Sequence, residues 1–139
     1  MENRYLALKT VMMPRDTNPH GTIFGGVLLS QIDQAGANGA QWEIARRGVR
    51  VPLLVTVAVN RVEFHEPVYV GDVVSYWTQL VRIGRTSITI HVDVEVERDG
   101  KVVKVTEADV VYVAIAETPE GRRPVPILPE SEASGGVQT

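Results

Sequence analysis

Asp33 is the only charged residue between Phe24 and Trp42, where every other side chain is apolar, small or amide-bearing. A carboxylate placed alone in such company can serve as base or nucleophile once water is partly kept from it. It can also simply meet solvent at a helix edge, or bond a nearby backbone group. Just upstream, "GTIFGG" (21–26) leads into the same stretch. A glycine-rich approach to a helix start can set backbone N–H groups, aided by the helix dipole, against a ligand oxygen. Such a site suits a phosphate or the oxyanion of acyl transfer. The same glycines would also let a helix pack closely on its neighbour. Neither G-x-G-x-x-G nor a lysine-bearing phosphate loop occurs, so this is no nucleotide fingerprint. G-x-S-x-G is missing and no histidine has an evident serine partner, which disfavours a serine hydrolase.

The remaining chemistry-bearing residues narrow the field further. The chain has no cysteine, which removes disulfides, thiolate nucleophiles and cysteine-ligated metals. His20, His65 and His91 are isolated, without the i, i+4 spacing of a histidine metal site. His65 and Glu66, beside Pro67, read as loop residues. His91 reads as exposed or hydrogen-bonded on the polar side of a strand.

The elements that must position these groups follow from periodicity. Residues 24–47 read as one helix ending near Gly48. At about 100° per residue, Leu28, Trp42, Ala35, Gly39, Ile32, Gly36, Leu29 and Ala40 form its apolar side. Ser30, Gln41, Gln34, Asn38 and Gln31 form a continuous polar arc. Asp33 falls outside that arc, on a stripe with Gly26, Leu29, Gly36 and Ala37, where another chain or a ligand can come close. Before the helix, residues 5–13 read as a strand and "PRDTNPHGT" as a loop. After it come strands over 53–68, 72–84, 86–98 and 101–116. The cleanest alternation is Ile88, Ile90, Val92, Val94 and Val96 against Thr89, His91, Asp93, Glu95 and Glu97. "RDGK" (98–101) reads as a tight hairpin turn, because Asp-Gly tolerates positive φ. Beyond residue 118 the composition turns to Pro, Gly and Ser, and residues 119–139 read as a flexible tail.

At 139 residues the chain fits one domain over 1–118, burying roughly two thirds of its unfolded surface. A net charge of −3 gives no basic field for nucleic acid or an anionic membrane. Neither a membrane span nor a signal-peptide core is present in the sequence, so a cytoplasmic protein is expected. The expected class is α+β: an antiparallel sheet of about five strands, covered on one face by a single long helix. Its unpaired edges call for edge-to-edge dimers.

Three stretches, "MPRDTNPHGTIFGGVLLSQIDQAG", "VTVAVNRVEFHEPVYVGDVV" and "VRIGRTSITIHVDVEVE", resemble the hotdog-fold acyl-CoA thioesterases of the YciA-like group, related to brain acyl-CoA hydrolase. They span most of residues 5 to 116 in family order. The first is the most specific, combining Asp16-Thr17-Asn18, Gly21, Phe24-Gly25-Gly26 and Asp33. The resemblance implies a helix wrapped by a curled sheet, and dimers joined into a continuous sheet and often assembled into hexamers. It implies active sites at the dimer interface, built from both subunits. Asp33 then matches the catalytic carboxylate and Asn18 the loop asparagine, while the backbone at Gly25 and Gly26 polarises the thioester carbonyl. The substrate would be acyl-CoA, hydrolysed to a fatty acid and CoA with no metal and no cofactor beyond the CoA of the substrate. For CoA phosphates, "RIGRTS" offers Arg82 and Arg85, with Thr86 and Ser87 as hydrogen-bond donors. In isolation Asn18 reads as a turn former before Pro19, and the two arginines read as solvated surface rather than a phosphate clamp; only the resemblance sets the binding reading level with it. Two other classes share the fold: an acyl-thioester dehydratase, with His20 as its only local histidine, and a non-catalytic acyl-CoA-binding protein.

Overall fold

The computed structural model describes residues 3–129. Strand β1 (Tyr5–Val11) leads through a 3₁₀ turn, Pro14–Asp16, to helix α1 (Gly25–Ala45). There follow β2 (Leu53–Phe64), β3 (Val73–Ile83), β4 (Ser87–Arg98), β5 (Lys101–Thr118) and β6 (Gly121–Pro124). All pairings are antiparallel and the order is β1-β3-β4-β5-β2, with β6 also on β5. One helix against one antiparallel sheet is the arrangement the sequence implies. The β4–β5 turn has Asp99 at φ 54° and Gly100 at φ 76°, as its Asp-Gly pair demands.

The alternation read in β4 decides which sheet face becomes core. Ile88, Ile90, Val92 and Val94 are wholly buried, as are Ile32, Ala35, Ala40 and Ile44 of α1. The helix lies close because its contact face is small. A Cβ at Gly36 would collide with the Tyr112 hydroxyl, and one at Gly39 with Thr78. One carboxylate also enters this face: buried Glu43 is held by Arg46 at 3.2 Å and Arg47 at 3.1 Å.

The antiparallel sheet of about five strands has six among the described residues, and the structure corrects the reading of the tail, because the added strand lies inside the segment expected to be flexible. Ile115 pairs with Leu53 of β2 on one side and with Pro124 of β6 on the other. Val125 N–H then bonds Ala114 O and Ile127 N–H bonds Arg85 O, both at 2.9 Å. These bonds carry Ile127 and Leu128 into the core at 3% and 5% exposure. A polar composition hides two apolar side chains that suffice to fold the segment back, so the packed unit continues through Leu128, past residue 118. The rest of the expected tail, 130–139, lies outside the described residues. Among the described residues no helix is long and apolar enough to cross a membrane.

Candidate active site

Asp33 emerges two turns into α1, half-buried, facing the inner side of β2. The Thr56 hydroxyl donates to its Oδ1 at 2.7 Å. From β5, the Tyr112 hydroxyl donates to the Asp33 carbonyl oxygen at 2.7 Å. Burial, and then the Asp33 charge, push Tyr112 far above the ordinary tyrosine range, so it remains a neutral donor. Gly36, one turn on, leaves the room that this hydroxyl needs. Asp33 is therefore held from two strands, its backbone by Tyr112 of β5 and one carboxylate oxygen by Thr56 of β2.

At the start of α1, Phe24 occupies the N-cap without a side-chain cap bond, and the first turn holds no acidic residue. No hydrogen bond among the described residues uses the Gly25 or Gly26 N–H, as first-turn donors allow. These two donors remain free for a ligand oxygen. Beside them opens a cleft of about 370 Å³, walled by Ile23, Leu28, Phe64 and Val68, with His65 and Glu66 on its rim. At about 1.5 Å rise per residue, however, Gly26 and Asp33 stand roughly 10 Å apart along the helix axis.

Asn18 closes its own loop. Its Oδ1 accepts from His20 N–H at 2.8 Å and Thr22 N–H at 3.1 Å, while its Nδ2 donates to Thr22 Oγ1 at 2.8 Å. One Nδ2 hydrogen is left, and no bond joins Asn18 to Asp33 among the described residues. The loop is anchored by Phe24 N–H on Asp16 O and by Ile23 N–H on Val68 O.

Arg82 and Arg85 are exposed around the β3–β4 turn. Thr86 and Ser87 use their carbonyls there, accepting from Ala114 and Gly84 at 2.8 Å. Ser87 pairs with Val113, whereas Phe64, at the cleft, is level with Thr106. At about 3.3 Å per residue, the arginine turn thus lies roughly 20 Å along the sheet from the cleft. Within one chain the structure brings Asp33 to Thr56, and Gly25 to Phe64. It does not bring the arginines to the cleft; their turn lies at the Thr56 end of the sheet, Ser87 pairing with Val113 beside the Tyr112 that pairs with Thr56.

Sequence reasoning missed Thr56 and Tyr112. Thr56 left one signal, a single hydroxyl inside the aliphatic run "LLVTVAV"; Tyr112 left none, since its partner is a backbone carbonyl. His91 is hydrogen-bonded as expected, but in a denser cluster on the sheet face away from α1. Asp109 lies 2.7 Å from Nδ1 and Asp93 3.0 Å from Nε2. The bond to Asp93 chiefly, against burial and with help from Asp109, pushes His91 up to about 9. Lys104 reaches Asp93 at 3.1 Å and Glu107 at 3.4 Å, and His65 reaches Glu107 at 2.8 Å. His91, Asp93 and Glu107 could converge on an ion, as could Glu63, His65 and Glu107. In the first trio, however, the Lys104 ammonium already bridges the two carboxylates.

The family profile described as "Thioesterase superfamily" matches residues 20–103. The acyl-CoA thioester hydrolase YciA of Salmonella typhimurium is 44% identical over 128 residues, covering 88% of this chain and 90% of its own. Among solved structures, HI0827 is a hexameric broad-specificity acyl-coenzyme A thioesterase, here in an aspartate-to-alanine form. It matches at TM-score 0.77 and 37% identity over 96% of each chain. A hexameric hotdog fold thioesterase of Campylobacter jejuni matches at TM-score 0.72 and 39% identity, covering 93% of this chain and 92% of its own.

Proposed function

The chain belongs to the thioesterase superfamily, with the hotdog fold, and from that premise we propose that it hydrolyses acyl-CoA thioesters to a free acid and CoA. The observation that carries this reading is the Asp33 carboxylate. It is held by Thr56 at one oxygen and, among the described residues, has no partner at the other, on a helix whose first two N–H groups are likewise unused. The free oxygen takes a proton from water, or attacks the thioester carbon itself. The negative charge that gathers on the carbonyl oxygen is met by the Gly25 and Gly26 N–H donors. In the water route, collapse of the adduct expels the CoA sulfur, which takes the proton that Asp33 accepted. In the direct route it leaves a mixed anhydride at Asp33, which water then hydrolyses to the acid, restoring the carboxylate as the second proton goes to the CoA thiolate. Neither step needs a metal.

The roughly 10 Å between Gly26 and Asp33 along the helix axis, given ~1.5 Å rise per residue, is too long for both to act on one carbonyl. A two-fold partner resolves this. Among the described residues β2 pairs only with β5, so its outer edge is open, and Leu53, Val57 and Val59 are exposed along it. Joining two chains antiparallel at this edge reverses direction. The Asp33 of one chain then approaches the Gly25–Gly26 donors of the other. The same reversal carries the 84–87 turn of one chain toward the cleft end of its partner, where Arg82 and Arg85, with Thr86 and Ser87, would meet CoA phosphates. The remaining Nδ2 hydrogen of Asn18 would orient the water or the carbonyl. The hexamers of the two similar structures are consistent with such pairs assembling further.

Subunit mixing tests the reading. Asp33→Asn keeps shape and removes the base, and should lower kcat by ~10²–10⁴-fold with assembly retained. Gly26→Pro removes one N–H that the helix does not use. Each variant alone should be nearly inactive, whereas mixed dimers should regain one working site of two. Absence of recovery after subunit exchange would place the whole site in one chain. Near-normal kcat in Asp33→Asn would refute the carboxylate's role. Thiol release unchanged after exhaustive chelation supports the metal-free route, while an enoyl absorbance change without thiol would mean dehydration instead.

A further inference from the structure

The cleft beside the oxyanion donors has walls of unequal freedom. Ile23, Leu28 and Val68 are buried to between 2% and 5% exposure. Ile23 and Val68 are also joined through their backbones at 2.8 Å. Phe64 differs: it stands at the end of β2 with 53% of its surface exposed. Its ring nevertheless lies close to the helix start, with Cζ 3.3 Å from where a Gly25 Cβ would be. Gly25 thus does two things at once. It leaves an N–H for the carbonyl oxygen, and its missing side chain makes room for the ring.

A thioester whose oxygen sits on the Gly25 and Gly26 N–H groups has its acyl chain leaving from this same point. The first carbons must pass the Phe64 ring to enter the cleft. The apolar lining then gives way to His65 and Glu66 at the rim. His65 is committed to Glu107 at 2.8 Å, so a methyl end that reaches this rim leaves the apolar lining and meets polar side chains. A cleft of about 370 Å³ is near the lower end for small-molecule sites, which run from ~300 to ~1,000 Å³.

We propose that Phe64 is the specificity-determining residue for the acyl group. Its ring is the adjustable wall that sets the length and bulk of the chains turned over. The proposal rests on the hydrolase reading and adds to it a residue and a direction of effect. Each methylene that gains or loses a place in an apolar cleft changes binding roughly fourfold. Shortening the ring side chain should therefore raise kcat/KM for long or branched acyl-CoAs relative to short ones. Enlarging it should do the reverse.

The experiment is a chain-length series, from acetyl-CoA to dodecanoyl-CoA with a branched short acyl-CoA beside it, followed by thiol release. It is run on wild type, Phe64→Ala, Phe64→Leu and Phe64→Trp. The quantity read is the ratio of kcat/KM for decanoyl-CoA to that for butyryl-CoA. Phe64→Ala should raise it at least tenfold, Phe64→Leu less, and Phe64→Trp should lower it. If Phe64→Ala fails to fold, the Leu and Trp variants decide the matter by their opposite signs. A ratio constant within twofold across the folded variants overturns the proposal, whether absolute rates hold or fall, because a uniform loss would mean the ring only props the helix start. No thiol from any acyl-CoA with the wild-type protein would overturn the hydrolase reading itself, and the proposal with it.

Discussion

Thr56 is the side chain that holds the Asp33 carboxylate. Its hydroxyl commits one carboxylate oxygen at 2.7 Å and so aims the other. Thr56→Val keeps the β-branched shape that β2 favours while removing the donor. A hydrogen bond to a charged group contributes about 1.5–3 kcal/mol, and exposure puts this one at the lower end. A fall in kcat of about tenfold with little change in Tm is the expected outcome; unchanged kcat would leave Thr56 as a surface residue. His91 supplies a separate test at the same scale. Its partners are Asp93 on β4 and Asp109 on β5, with Glu107, Lys104 and His65 around them. Its folded pKa is raised from 6.5 to about 9, first by the Asp93 bond. A raised value means stability that is fully present below pH 6.5 and lost as pH rises through about 9. The Tm advantage of wild type over His91→Gln should therefore be large near pH 6 and shrink by pH 10. A constant offset across that range would show that the imidazolium contributes nothing.

At the scale of elements, two contacts decide whether the site can exist. Helix α1 approaches the sheet through Gly36 and Gly39, and that approach places Asp33 within reach of both Thr56 and Tyr112. Strand β6 and the turn after it close the sheet end with Ile127 and Leu128, inside the segment whose composition predicts a tail. A chain truncated after Pro124 loses both side chains, and burying one such side chain is worth about 1.5–3 kcal/mol. Compared with a control truncated after Pro129, it should melt many degrees lower. Equal melting temperatures would show that the core closes without this segment. Because Ile127 N–H also bonds Arg85 O, the same truncation should loosen the turn that carries the arginines.

For the whole molecule, the open edge of β2 matters most. Val57 is 56% exposed on that edge strand. A charged side chain there is a common way to block edge pairing. Val57→Lys should lower the mass seen by light scattering toward the 15.3 kDa of one chain, and activity should fall with it. A folded, fully active monomer would refute a site shared between subunits. Asp33 and the Gly25–Gly26 donors lie on one helix, and the proposed reaction joins them across such an interface. On that proposal the association state is part of the chemistry.

Local signals carried a great deal by themselves. Period-two alternation in β4, the Asp-Gly turn at residues 99 and 100, and the long small-residue helix were all legible. Each depends on backbone geometry acting within a few residues. The lone carboxylate and the glycine-rich helix start were legible for the same reason, being anomalies in a local pattern. Thr56 and Tyr112 meet Asp33 across 23 and 79 residues of chain, and no window of sequence contains both ends of such a contact. The burial of Ile127 and Leu128 was hidden because composition averages over a segment, whereas packing needs only the side chains that face inward. The sequence determined which residues could do chemistry and which elements would carry them. Only the tertiary structure decided which of them meet, because the distance between two side chains is set by how α1 and the strands pack and not by their separation along the chain.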